Sequence, residues 1–187
     1  MKQHNKNIIK ALFFLLTFNT FAQSEALYLR LNRSIQLRQD TLFQPIKFKE
    51  ADIIYNKIID FHEEKIQIKK SGIYEINGFV NINPGVFGIF KDLIEIEVYL
   101  YKNRTEEDEQ LLHVAKHTYT YGNFNVARSF LFPPKSHYFE KEDEISIWLK
   151  ILPTSTISIN TNKNYHHVIT PTGMPQIAAL RLMYLGE

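Results

Sequence analysis

Cysteine is absent from all 187 residues, which excludes in one step a lipid-modified cysteine, a disulfide framework and any thiolate metal site. Stability must then come from the core. Long apolar runs are missing too: the one at Ala11 to Leu16 is interrupted at Asn19 and Thr20, well short of the roughly 20 apolar residues a spanning helix needs. A membrane span is therefore not expected.

That short run instead has the three parts of an export signal. Lys2, Lys6 and Lys10 precede it, and Thr20 and Ala22 supply the small residues of a cleavage site. We place the signal at residues 1–22, a short lead-in at 23–33, whose alternative is a segment paired with a neighbouring strand, and one domain at 34–187. An uncleaved anchor or a buried strand is the competing reading of the first segment. Cleavage removes three lysines and no acid, leaving 19 basic against 20 acidic side chains. With no clustered basic face, a nucleic-acid partner is not expected.

Helical periodicity is scarce as well. Ile94, Ile96, Val98 and Leu100 alternate with Glu95, Glu97, Tyr99 and Tyr101, a period of two that a helix would scatter. Ile145, Ile147, Leu149 and Ile151 repeat the pattern, as do Ala178, Leu180, Leu182 and Tyr184. Turn signals separate the runs, among them Lys70-Ser71-Gly72, Asn103-Arg104-Thr105, Phe132-Pro133-Pro134 and Glu140 to Glu144. The expectation is an all-β, antiparallel β-sandwich, with a long loop from Leu152 to Gln176 that holds a short strand at most.

The order of certain residues is more specific. Ile46-Lys47-Phe48, then the run from Ile66 to Ile76 with Gly72 and Tyr74, resembles the opening of the globular domains of the C1q and tumour-necrosis-factor (TNF) superfamily. Lys102-Asn103 is similar to that family's turn after a core strand, and Phe139 to Leu149 to its later turn, where Glu142-Asp143 stands in place of Gly-Asp. The terminal segment Gln176 to Leu185 looks like its last strand without the usual aromatic-Gly pair. The likeness spans Ile46 to Leu185 and suggests an exported, bacterial-type member. It implies a jelly roll that assembles as a homotrimer and binds partners through loops or assembly edges, with Gly72, Tyr74, Asn103 and Asp143 as fold signatures.

Chemistry is thin. There is no phosphate loop, no G-x-S-x-G elbow, no H-E-x-x-H and no calcium loop of the D-x-D-x-D-G type. No catalytic residue and no cofactor is expected. His113 and His117 sit four apart on an extended segment, too distant for one metal ion, and His166-His167 fall in the long loop. Glu106, Glu107, Asp108 and Glu109 offer oxygen ligands for calcium, or else form a solvated hairpin tip. Aromatics make up 13% of the chain, and Tyr99, Tyr101 and Trp148 fall opposite the aliphatic face. They mark either an interface or a second sheet face covered by loops.

The reading is a secreted, non-catalytic binding or adhesion module, extracellular or periplasmic, that oligomerises and recognises protein or glycan through its loops. The alternatives are a structural matrix component, which would polymerise openly, and an exported jelly-roll hydrolase or lyase, which would need a pocket with convergent titratable groups.

Overall fold

The structure is a computed structural model, and it describes residues 26–31, 35–38, 43–62, 65–82, 94–104, 107–119, 128–153, 166–169 and 178–187. The proposed signal lies outside them. So do residues 157–160, where the sequence allows a short strand within the expected loop. Among the described residues no helix is long and apolar enough to cross a membrane.

Thirteen strands occur among the described residues: β1 Ala26–Leu31, β2 Ile35–Arg38, β3 Gln44–Ile46, β4 Ile53–Asn56, β5 Ile59–His62, β6 Lys65–Ile68, β7 Gly72–Ile82, β8 Ile94–Lys102, β9 Gln110–Tyr119, β10 Arg128–Phe139, β11 Glu144–Pro153, β12 His166–Ile169 and β13 Ala178–Gly186. The first sheet has the order β10-β7-β13-β1-β4. The second has β5-β6-β11-β8-β9, with β3 also paired to β11, and β2 and β12 form a separate ribbon. All these pairings are antiparallel.

The alternation read from the sequence is what packs the two sheets together. Tyr74, Ile76, Val80 and Ile82 of β7 turn inward with Leu180 and Leu182 of β13, facing Ile96, Val98 and Leu100 of β8 and Ile145, Ile147 and Leu149 of β11. Burying each such side chain stabilises by about 1.5–3 kcal/mol, so this shared layer supplies what a cysteine-free chain cannot obtain from cross-links. His113 and His117 lie on strand β9 as expected, and their rings meet Phe132 and Phe130 of β10 edge-on at 5.7 and 4.8 Å. They close one side of the sandwich, where the edge strands of the two sheets meet.

Three expectations are corrected. Residues 26–31 are not a lead-in: β1 sits between β13 and β4, and Leu27, Leu29 and Leu31 are fully buried. Their apolar alternation satisfies a sheet interior, which is the pairing alternative. Phe132-Pro133-Pro134 is not a turn between strands, because β10 runs on through it with a register shift between Phe132 and Lys135. As an edge strand, β10 can lose the two proline donors to a bulge without breaking an inner ladder. His166 and His167 lie on a strand, paired with Arg38 and Leu37, rather than in an irregular loop.

Candidate functional site

The four fold-signature residues form two structural points. Gly72 begins β7 with φ +150°, a region side chains rarely adopt, and an added Cβ would meet the Tyr184 ring at 2.5 Å. Tyr74 is fully buried, donates its hydroxyl to the Lys70 carbonyl at 2.6 Å, and touches Tyr184 and Phe139 edge-on. The glycine therefore leaves room for the ring that its neighbour tyrosine packs against.

Asn103 and Asp143 form the second point, a buried clasp between the β8–β9 and β10–β11 turns. The Asn103 amide donates to Asp143 at 2.7 Å, and its carbonyl accepts from the Glu144 backbone at 2.7 Å. Asp143 also accepts the Glu140 N–H at 2.6 Å and pairs with Lys102 Nζ at 2.6 Å. Asn103 has φ 51° and Glu142 has φ 78°. Glu142 thus takes the left-handed conformation that glycine favours, at the place where the family-like motif would have one. The turn keeps its shape at some cost in backbone energy, and Asp143 holds it.

The acidic run proposed for calcium is divided among different partners. Glu106 lies outside the described residues, Glu107 is exposed, Asp108 accepts from the Asn103 amide at 2.6 Å, and Glu109 pairs with Arg104. Among the described residues no three potential metal ligands converge.

Tyr99, Tyr101 and Trp148, by contrast, do come together. The outward side chains of β8 and β11 are in register: Tyr99 opposite Trp148, Tyr101 opposite Ser146 and Glu97 opposite Lys150. The same row continues to Val114 on β9 and Pro45 on β3. Tyr99 and Tyr101 stack at 5.9 Å between ring centroids. Phe43 lies 5.0 Å from Tyr99 and 6.2 Å from Trp148. Among the rings sits the Arg104 guanidinium, 5.0 Å from Tyr101 and 5.4 Å from both Phe43 and Trp148, a favourable placement over aromatic faces. Arg104 and Phe43 are the members that sequence reasoning missed; they come from a turn and from the segment before β3, where no periodicity points to them.

Electrostatics keep this patch protonated. Burial raises the Tyr99 phenol well above its ordinary value, and the hydrogen bond it donates to Glu97 raises it further. Burial also raises Tyr101, with Arg104 acting in the opposite sense. Both phenols remain neutral donors at physiological pH.

A cleft of about 210 Å³ adjoins the patch where β3 and β6 part along β11, lined by Lys47, Lys65, Arg104, Glu144, Ser146 and Trp148 among others. Lys65 bonds Glu144 at 2.7 Å, and the Trp148 indole N–H donates to Ser146 at 2.9 Å.

The outward face of the first sheet has a different character. Register aligns Leu131 with Phe79, Ala179 and Arg30 across four strands, Tyr28 with Tyr55, and Tyr138 with Ile73. Leu131 is 61% exposed and Tyr138 56%, and Tyr55, Ile73 and Leu185 are exposed too. This face was not singled out from the sequence. The available signal was apolar residues on both sides of one strand, as at Phe130, Leu131 and Phe132.

His137, on β10, has its pKa lowered by burial and by Lys135. The unfolded chain therefore takes up this proton first as pH falls. Stability is complete above the ordinary histidine value of about 6.5 and declines as pH drops through it toward the folded value. Thermal melts from pH 7.5 to 5 are expected to show a smaller decline for His137→Gln than for the parent; an unchanged decline would remove His137 from the account.

No protein-family model and no curated protein sequence matches the chain. Solved structures do. Murine APRIL at pH 5.0 is similar with TM-score 0.56 and 8% identity, covering 87% of this chain and 100% of that one. Eiger TNF from S. frugiperda is similar with TM-score 0.56 and 11% identity, covering 88% and 94%. At such identities the likeness concerns architecture: the chain has a TNF-like jelly-roll fold.

Proposed function

We propose that the chain is an exported, non-catalytic binding module that closes into a homotrimer through the outward face of its first sheet. One observation carries this reading. Leu131, Tyr138, Tyr55, Ile73 and Leu185 stand exposed on a sandwich whose interior is already filled by its own two sheets. Apolar side chains gathered on one sheet face, away from the core, mark a surface made to be covered. A TNF-like jelly roll supports a closed three-fold ring over an open filament, since the resembled superfamily uses this fold in trimers. Removal of residues 1–22 on export, to the periplasm or the outside, is part of the proposal, as is recognition of protein or glycan by surfaces the assembly leaves free.

Light scattering of the mature chain at micromolar concentration is expected to give three times the chain mass. Burial of a Leu or Tyr contributes roughly 1.5–3 kcal/mol, and each 1.4 kcal/mol is tenfold in affinity. The double variant Leu131→Arg/Tyr138→Arg should therefore run as a monomer with an unchanged circular dichroism spectrum. A stable parent monomer would contradict the proposal, and filaments would favour a matrix component instead.

A further inference from the structure

We propose that the assembly face is closed by an ion pair between copies, in which the Glu75 carboxylate of one copy meets the Arg30 guanidinium of the next. It deepens the proposed trimer, on which it rests, by naming a residue that the neighbouring copy contributes.

Strand alternation puts these charges on the face. Leu29 and Leu31 are fully buried, so Arg30 between them points out of β1. Tyr74 and Ile76 turn Glu75 outward on β7 in the same way, and Leu180 and Leu182 turn Arg181 outward on β13. Register sets Arg30 in the row of Leu131, and sets Glu75 in the row of Ser136, next to the row of Tyr138. The two charges therefore accompany opposite ends of the apolar face.

Neither is satisfied within its chain. Among the described residues, Arg30 and Glu75 make no ion pair and no side-chain hydrogen bond. They cannot reach each other either. β13 lies between their strands and their rows are four residues apart, which separates the two Cα atoms by roughly 16 Å at ordinary strand spacing and rise. Side chains that leave the sheet almost perpendicular to it do not close such a gap.

Covering the face withdraws both groups from water, which is unfavourable unless each meets an opposite charge. The choice of partner is narrow. Glu75 is the sole acidic residue in the five strands of the first sheet. Arg181 stands diagonal to it in the same chain, opposite Asn77, and its guanidinium otherwise reaches the Met183 sulfur at 4.0 Å. Arg30 has no carboxylate of the sheet within reach, so it is the cation that a neighbour must satisfy. A head-to-tail contact that sets the Leu131 row of one copy against the Tyr138 row of the next brings Arg30 to Glu75, and repetition of that contact closes a ring.

Charge exchange in the mature chain, followed by light scattering over a dilution series, tests the pair. Arg30→Glu and Glu75→Arg should each weaken the trimer at least tenfold by setting like charges together. The double variant Arg30→Glu/Glu75→Arg should regain parental association within about threefold. Because the pair cannot form inside one chain, that recovery reports a contact between copies. Arg181→Glu/Glu75→Arg should show no recovery. If a reversed charge prevents folding, read by circular dichroism, Arg30→Gln and Glu75→Gln replace the reversals: each should weaken assembly, and both together should cost no more than either alone. In a trimeric parent, single reversals without effect, a double exchange no stronger than the singles, additive losses for the neutral variants, or recovery through Arg181 would each overturn the pair and leave the trimer standing. A parent that stays monomeric removes both.

Discussion

Asp143→Ala is expected to cost the domain about 3–5 kcal/mol, the range for removing one partner of a buried ion pair. The carboxylate is the common acceptor for Lys102 Nζ, the Asn103 amide and the Glu140 N–H, and both it and the lysine are largely buried. Alanine would leave an ammonium and two amide donors unanswered between the turns. It would also release the left-handed conformation of Glu142, which Asp143 holds through its bond to Glu140. Against a typical total of 5–15 kcal/mol, the loss should lower the melting temperature by on the order of 10 °C. Adding Lys102→Met, which removes the stranded charge and keeps an apolar stem near the Phe139 ring, should recover part of it. A loss under about 1 kcal/mol for Asp143→Ala would show that the clasp is ornamental.

Gly78→Val is expected to prevent folding altogether. Gly78 lies in β7 between Phe132 of β10 and Leu180 of β13, and a Cβ built there falls within contact distance of the Ala179 carbonyl oxygen. The obstacle is backbone of an adjacent, fully paired strand, which cannot swing aside as a side-chain tip can. A glycine inside a strand marks such close approach. Even Gly78→Ala should cost about 3 kcal/mol, the upper end for overpacking, read as a shifted urea midpoint with unchanged slope. A Gly78→Val variant with parental circular dichroism would contradict the packing of β7 on β13.

Much of this architecture is legible in the chain itself because half-buried strands write their period into sequence. Ile96, Val98, Leu100, Ile145, Ile147 and Leu149 all face inward as their alternation requires. The signature positions are legible for a similar reason: Gly72 and Asn103 carry backbone conformations that few residues tolerate. Strand pairing is less visible. Nothing local in Ala26–Leu31 says that it lies between the last strand and β4, since a sheet partner nearly the whole chain away leaves no mark on spacing. The patch was half legible. Tyr99, Tyr101 and Trp148 could be placed on one face by period two, but Arg104 and Phe43 reach it from irregular segments. The cleft beside it depends on β3 and β6 parting along β11, a property of topology alone.

The outward face of the first sheet is proposed to meet neighbouring copies, and that of the second is left free. A structure of the assembled mature chain by electron microscopy tests that division most directly. It should show a closed three-fold ring in which Leu131 and Tyr138 are covered and the cleft at Trp148 faces solvent. An assembly that buries Trp148 and leaves Leu131 exposed, or an open filament, would contradict it.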